Sequence, residues 1–384
     1  MDRLTGVRRS YDWGSRSALP DLLGVAADGQ PWAEQWFGTH PSGPAQLSDG
    51  RSLDQVVAHD PIAALGATGS TDLPFLVKFL AADAPLSLQV HPSMAQAREG
   101  FAAEEARGVP LDAPERSFRD PSHKPEMIVA LTPFEALCGF RDPSATHQLL
   151  TDLGADELDP VVQQLADTSS ADALRSVMEF LLTLEPERGA ELADALVRAF
   201  RACADPQWSA ERSLILRLSQ QYPGDPGVVI AGLLNFVRLD PGQALFLDAG
   251  NLHAYVSGVG LEIMANSDNV IRGGLTSKHV DAQVLLDILD PSPLSPDVQT
   301  PVSVDGRAPF VVPVSDFSVT RFDLEPGRTL AGLPGPAIGV CVGGRVDLGD
   351  LAMVRGDAIW QAAVDEPVPV SGMGTLYWVT VGSN

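Results

Sequence analysis

The stretch LSLQVHP at 86–92 sets Leu86, Leu88 and Val90 in alternation with Ser87, Gln89 and His91. Period-two alternation marks a strand whose successive side chains leave by opposite faces. The apolar trio packs on one side. Gln89 and His91 share the other, about 7 Å apart along the strand. Spacing alone favours the polar lining of a barrel over metal ligands for this pair.

Two further stretches read the same way. In HKPEMIVAL (123–131), Lys124 and Glu126 share a face with Ile128, while Met127 and Val129 point away. Pro125 cannot donate to a sheet ladder, so it marks a strand start or an edge. In DAGNLHAYVSG (248–258), His253, Tyr255 and Ser257 share one face, and Leu252, Ala254 and Val256 the other. Taken singly, each is weak: a lone Lys-x-Glu is most often a surface ion pair of small energetic worth. Taken together, Gln89, His91, Glu126 and His253 offer two imidazoles, a carboxylate and an amide oxygen. That N2O2 set suits zinc or another borderline divalent ion, with a position left for water or a substrate oxygen.

Downstream runs GLEIMANSDNVIRGGLTSKHVD (260–281), where Glu262 and Met264 share a strand face. Arg272, Lys278 and His279 then form a local basic patch in an otherwise acidic chain. A solvated turn and a phosphate-capturing loop fit this composition equally well. In the second reading Arg272, Lys278 and Thr276 hold the anion, and Gly273–Gly274 lets the backbone approach it.

Around these stretches, 74–141 reads as short strands separated by turns, with 101–122 a polar loop that starts helical. Between about 142 and 222 the period becomes 3.6: Leu174, Val177, Leu181 and Leu184, then Leu192, Leu196, Phe200 and Cys203. Short strands resume with VVIAGLL (228–234), QALFLD, LHAYVSG and LEIMA. After a Pro-rich linker the chain ends in a second all-β region with a hairpin signal at Gly343–Gly344. The fold class expected is mainly β with a helical insertion: two jelly-roll barrels plus an α-helical domain. The division is 1–141 and 223–300 for the first barrel, 142–222 for the helices and 301–384 for a second barrel.

The 384 residues carry 26 Lys and Arg against 50 Asp and Glu, a net charge of −24. Such a surface repels phosphate backbones and anionic lipid, which argues against nucleic acid or membrane as partner. Three distant cysteines, Cys138, Cys203 and Cys341, offer neither a disulfide framework nor a thiolate metal cluster. No apolar run approaches the length of a membrane span, and the first residues carry no apolar leader, so a cytoplasmic protein is expected.

WFGTHPSGP (36–44), LQVHP (88–92), HKPEM (123–127), ALCGFR (136–141) and the block 250–281 resemble the type I phosphomannose isomerases. These are zinc enzymes of the cupin superfamily that interconvert mannose 6-phosphate and fructose 6-phosphate. The resemblance implies one Zn2+ per chain on Gln89, His91, Glu126 and His253, and Arg272 as an active-site residue. It sets Lys124, His123, Glu262 and Asp268 around the sugar. One departure stands out: many members carry a lysine two residues beyond the His-Pro, where this chain has Ser93 and Met94. Phosphate contacts are then expected from Ser93, Arg272, Lys278 and Thr276, with Tyr255 beside the sugar. The reaction implied is aldose–ketose isomerisation through a cis-enediol by a monomer, ahead of GDP-mannose biosynthesis. Two rivals are weighed: an Fe(II) cupin oxygenase, which a fourth ligand at Gln89 disfavours, and a sugar-phosphate-binding protein without turnover.

Overall fold

The computed structural model describes residues 1–67, 70–166 and 170–382. The strand read at 86–92 forms as Leu88–Val90 and belongs to an eleven-stranded sheet. The main path of that sheet runs Val298–Gln299, Ala244–Leu247, Glu126–Ala130, His253–Ala265, Phe75–Ala82, Glu34–Phe37, Val7–Arg9. Its organising element is the 13-residue strand His253–Ala265. The beginning of that strand pairs with Leu88–Val90 and Phe134–Phe140. From Gly258 onward it pairs instead with Phe75–Ala82 and Glu126–Ala130. Gly258 sits at φ 116°, and a Cβ there would lie 2.6 Å from the Pro133 carbonyl oxygen. Only glycine lets the strand pass from one set of partners to the other at this point.

Side-chain parity decides what each face touches. Met127 and Val129 join Phe75, Phe79, Leu261 and Ile263 in an apolar layer shared with Val319, Ile338, Val340 and Tyr377 of the second sheet. Ile128, on the other face, packs with Leu80, Phe134 and Tyr255 beneath the polar site. The helices Pro143–Leu153, Asp159–Ala166, Ser170–Leu182, Pro186–Ala202 and Ser209–Gln221 cover a third surface. Their stripes, including Leu174, Val177, Leu181, Leu192, Leu196 and Phe200, cluster with Leu88, Val90, Leu252, Ala254 and Val256. Thus the apolar side of each site strand is held by helices or core, and the polar side is left facing a cavity. Among the described residues no helix is long and apolar enough to cross a membrane.

Several local readings are corrected. VVIAG is the helix Gly227–Gly232, every residue of it buried. A short, wholly apolar run has no amphipathic period to separate helix from strand. LHAYVSG and LEIMA are one strand, because Gly258 redirects the chain without ending it. The helix expected near 101 starts at Met94 and runs to Arg107. Gly343–Gly344 lies inside the strand Ala337–Leu348, at a register shift, and the tight turn comes after Leu348. Finally, Asp2–Thr5 and Gln46–Leu47 belong to the nine-stranded sheet of the C-terminal region, with Asp2–Thr5 paired to Ala358–Gln361. The short alternations at the start of the chain specify a strand and not its distant partner.

Candidate metal centre and its cavity

Backbone register brings Gln89 opposite His253 on one side and opposite Arg272 on the other. Glu126 and His253 each open a strand, and His91 stands just past the end of its own. His91, Glu126 and His253 are all buried, and each offers a ligand atom within 4.8 Å of the others. His91 Nε2 lies 3.3 Å from Glu126 Oε1, and His253 Nε2 lies 3.4 Å from Glu126 Oε2.

The remaining ring nitrogens are pinned. His91 Nδ1 bonds the Asn269 carbonyl at 2.7 Å, and His253 Nδ1 bonds the Asn251 carbonyl at 2.9 Å. A carbonyl only accepts, so each Nδ1 carries a proton and each Nε2 is the ring nitrogen left facing Glu126. Burial, assisted by the Lys124 charge, lowers His91 to about 4, keeping the ring neutral. Burial alone would raise Glu126, but its neighbours, the Lys124 ammonium foremost, outweigh it and hold the carboxyl well below its usual range. His91 Nε2, Glu126 Oε2 and His253 Nε2 are buried without a hydrogen-bond partner. Buried polar atoms are normally satisfied. Two imidazoles and one carboxylate with orphaned atoms aimed together fit a borderline divalent cation.

Above this group opens a cavity of about 450 Å³, which Gln89, Lys124, Glu126 and Tyr255 help to line. Lys124 Nζ sits 2.5 Å from Glu126 Oε1. One wall carries a buried charge cluster: Lys78 Nζ lies 2.9 Å from Glu262 Oε2, 3.6 Å from Glu34 Oε1 and 5.1 Å from the centre of a Trp36 ring. Burial disfavours the Lys78 ammonium, but Glu262, Glu34 and Glu126 together keep it firmly protonated. For Glu262, burial exceeds the pull of Lys78, and with Glu126 nearby its pKa is raised. Cations line the cavity too: Arg119, Arg272 and Lys278. Arg272 is lowered by burial and by Arg119, and Lys278 by burial, Arg272 and Arg119. The Thr276 amide donates to Asp225 Oδ2 at 3.0 Å, and Thr276 Oγ1 accepts from the Lys278 amide at 3.1 Å. Asp268 faces His40 at 3.2 Å on the same rim.

A profile of the phosphomannose isomerase type I catalytic domain matches residues 1–143. The mannose-6-phosphate isomerase of Salmonella typhimurium is 36% identical over 390 residues, covering 98% of both chains. That of Escherichia coli K12 is 37% identical over the same span and coverage. The chain belongs to the mannose-6-phosphate isomerase family. A crystal structure of mannose 6-phosphate isomerase bound with zinc and yttrium superposes with a TM-score of 0.91 at 36% identity, covering 100% of each chain. A second, zinc-bound holo structure of mannose 6-phosphate isomerase gives 0.90 at 36% identity, covering 100% of this chain and 99% of that one.

In this member of the isomerase family, two residues expected around the substrate are occupied elsewhere. Ser93 is the N-cap of Met94–Arg107 and forms a capping box with Gln96, so its hydroxyl serves the helix. His123 turns away from the cavity, opposite to its neighbour Lys124, and meets both Asp316 oxygens at 3.0 Å. Alternation along an extended segment requires that split. Conversely, Lys78, Glu34, His40 and Arg119 line the cavity unannounced. Lys78 had a signal: a lysine in the middle of FLVKFLAA, a run buried at every position, must have charged partners. Arg119 had none, since an arginine in a polar loop looks like any surface charge.

Proposed function

We propose that this protein interconverts D-mannose 6-phosphate and D-fructose 6-phosphate through a cis-enediol, with zinc held by Gln89, His91, Glu126 and His253. The observation that carries the reading is the orphaned, buried His91–Glu126–His253 group beside a cavity that Arg119, Arg272 and Lys278 also line. When bound there, zinc supplies Lewis-acid polarisation of the sugar oxygens at C1 and C2. The protein's own groups do the rest. Glu262, poised by burial at a raised pKa, takes the proton from C2 of the open-chain aldose and returns it to C1, while the hydroxyl proton of O2 passes to O1. Lys78 holds that carboxylate in place. Lys124 and Arg272 face the oxyanion that develops as the proton leaves. Arg272, Lys278 and the Thr276 turn receive the phosphate, with Asp268 orienting the rim and Tyr255 closing the floor.

We read the eleven-stranded sheet as a cupin-type barrel interrupted by the helices, and the nine-stranded sheet as a smaller jelly roll. We read the protein as a cytoplasmic monomer. A coupled assay with mannose 6-phosphate, run before and after chelation and again after zinc add-back, tests the central claim. Activity should vanish with the metal and return with it. Turnover that survives complete metal removal sinks the proposal.

A further inference from the structure

We infer that Arg119 is a third cation of the anion-binding wall, acting with Arg272 and Lys278 to grip the substrate's phosphate and favour it over the free sugar. This rests on the reading that a sugar phosphate enters this cavity. Arg119, Arg272 and Lys278 all line it. Among the described residues, none of the three is within ion-pair distance of a carboxylate, although the chain carries a net charge of −24. Unpaired cations gathered on one wall of an acidic protein repel each other, and an incoming anion relieves that repulsion. A phosphate monoester brings about −1.5 to −2 charges at neutral pH, and a guanidinium binds its oxygens through paired N–H groups.

The mount of Arg119 is built rather than incidental. Its backbone N–H donates to Asn269 Oδ1 at 2.7 Å. Asn269 Nδ2 donates to the carbonyls of Asp120 and Ser122, each at 2.8 Å. Asp120 accepts in turn from the Ser267 hydroxyl at 2.8 Å and the Asp268 amide at 2.7 Å. Asn269 is wholly buried, and its own carbonyl is the acceptor that orients His91. One asparagine therefore fixes both a metal-ligand candidate and the loop that carries Arg119. The lowered pKa values of Arg272 and Lys278, to which Arg119 contributes, agree with three charges in mutual range.

The test uses the full-length, zinc-loaded protein with Arg119→Ala, Arg119→Lys and, as control, Arg107→Ala, an exposed arginine outside the cavity. Inorganic phosphate binding is measured by calorimetry, and KM and kcat with mannose 6-phosphate. Arg119→Ala should weaken phosphate affinity and raise KM by about tenfold or more, the scale of hydrogen bonds to charged groups. Its kcat and zinc content should hold, and Arg119→Lys should recover much of the loss. Arg119→Gln replaces the alanine variant if that one does not fold. Unchanged phosphate affinity in the variant, or no phosphate binding by the unmodified protein, overturns the inference. Because calorimetry needs no turnover, failure to isomerise mannose 6-phosphate would count against the proposed reaction alone.

Discussion

Lys78 is an ammonium closed off from water between two carboxylates and an indole. Its charge is tolerated inside a strand of buried residues because Glu262 and Glu34 replace the lost hydration. Replacing it by methionine fills the same space and leaves two carboxylates facing each other. We expect Lys78→Met to lower unfolding stability by about 3–5 kcal/mol in urea titrations, the scale for breaking a buried pair. Turnover should fall as well, since Glu262 loses the group that positions it. At this scale the sequence was informative where parity operates. The alternations put Gln89, His91, Glu126 and His253 on polar faces; the structure gathers the two histidines and Glu126 within 4.8 Å and sets Gln89 in the cavity lining. It was uninformative for Ser93 and His123, whose hydrogen-bond partners Gln96 and Asp316 decide what they do.

Among the elements, His253–Ala265 has the largest consequence, because it joins the metal-ligand strands to the charge cluster around Lys78 and Glu262. Its bend depends on Gly258. A valine there would meet the Pro133 backbone at 2.6 Å in a positive-φ conformation that β-branched residues avoid. Gly258→Val should therefore destabilise by more than about 1–3 kcal/mol and reduce zinc retention together with activity, as metal analysis of the purified variant would show. The helices attach through another element, Phe134–Phe140, where Glu135 binds Arg217 at 2.5 Å and Arg238 at 3.3 Å. Burial pushes the Glu135 carboxyl up, but these arginines and Ser257 prevail, so its folded pKa is lowered from 4.5. The unfolded chain then binds the proton more readily. The stabilisation is full above the unfolded value and lost as pH falls through the folded one. Glu135→Gln should flatten the acid limb of a urea-midpoint profile relative to the unmodified protein; an identical limb would show that this tie carries no stability. The long amphipathic helices were legible, because tertiary packing follows their stripe. Gly227–Gly232 was not, because burial on all sides erases the stripe.

At the scale of the whole molecule, the two sheets share one apolar layer and a His123–Asp316 contact beside the cavity. The C-terminal sheet also contains the chain's first strand, whose Leu4 is buried in that layer. Residues 301–384 expressed alone would lack that strand and expose Phe317, Val319, Ile338 and Tyr377. We expect such a fragment to aggregate or to lack a cooperative transition by circular dichroism. A soluble fragment that melts cooperatively would show the sheet to be self-sufficient. Composition announced two β regions and a helical block; it had no means of announcing that the first residues complete the last region.

That pairing has a consequence for synthesis. Arg3 meets Asp357 across 354 positions of chain. At ribosomal speeds of about 5–20 residues per second, the wait is on the order of tens of seconds. Throughout it, the opening segment can only lean on Gln46–Leu47 as a provisional mate. The nascent polypeptide thus stays open like an unbuckled belt until almost its last residues emerge, and this interval is when chaperone capture would matter most.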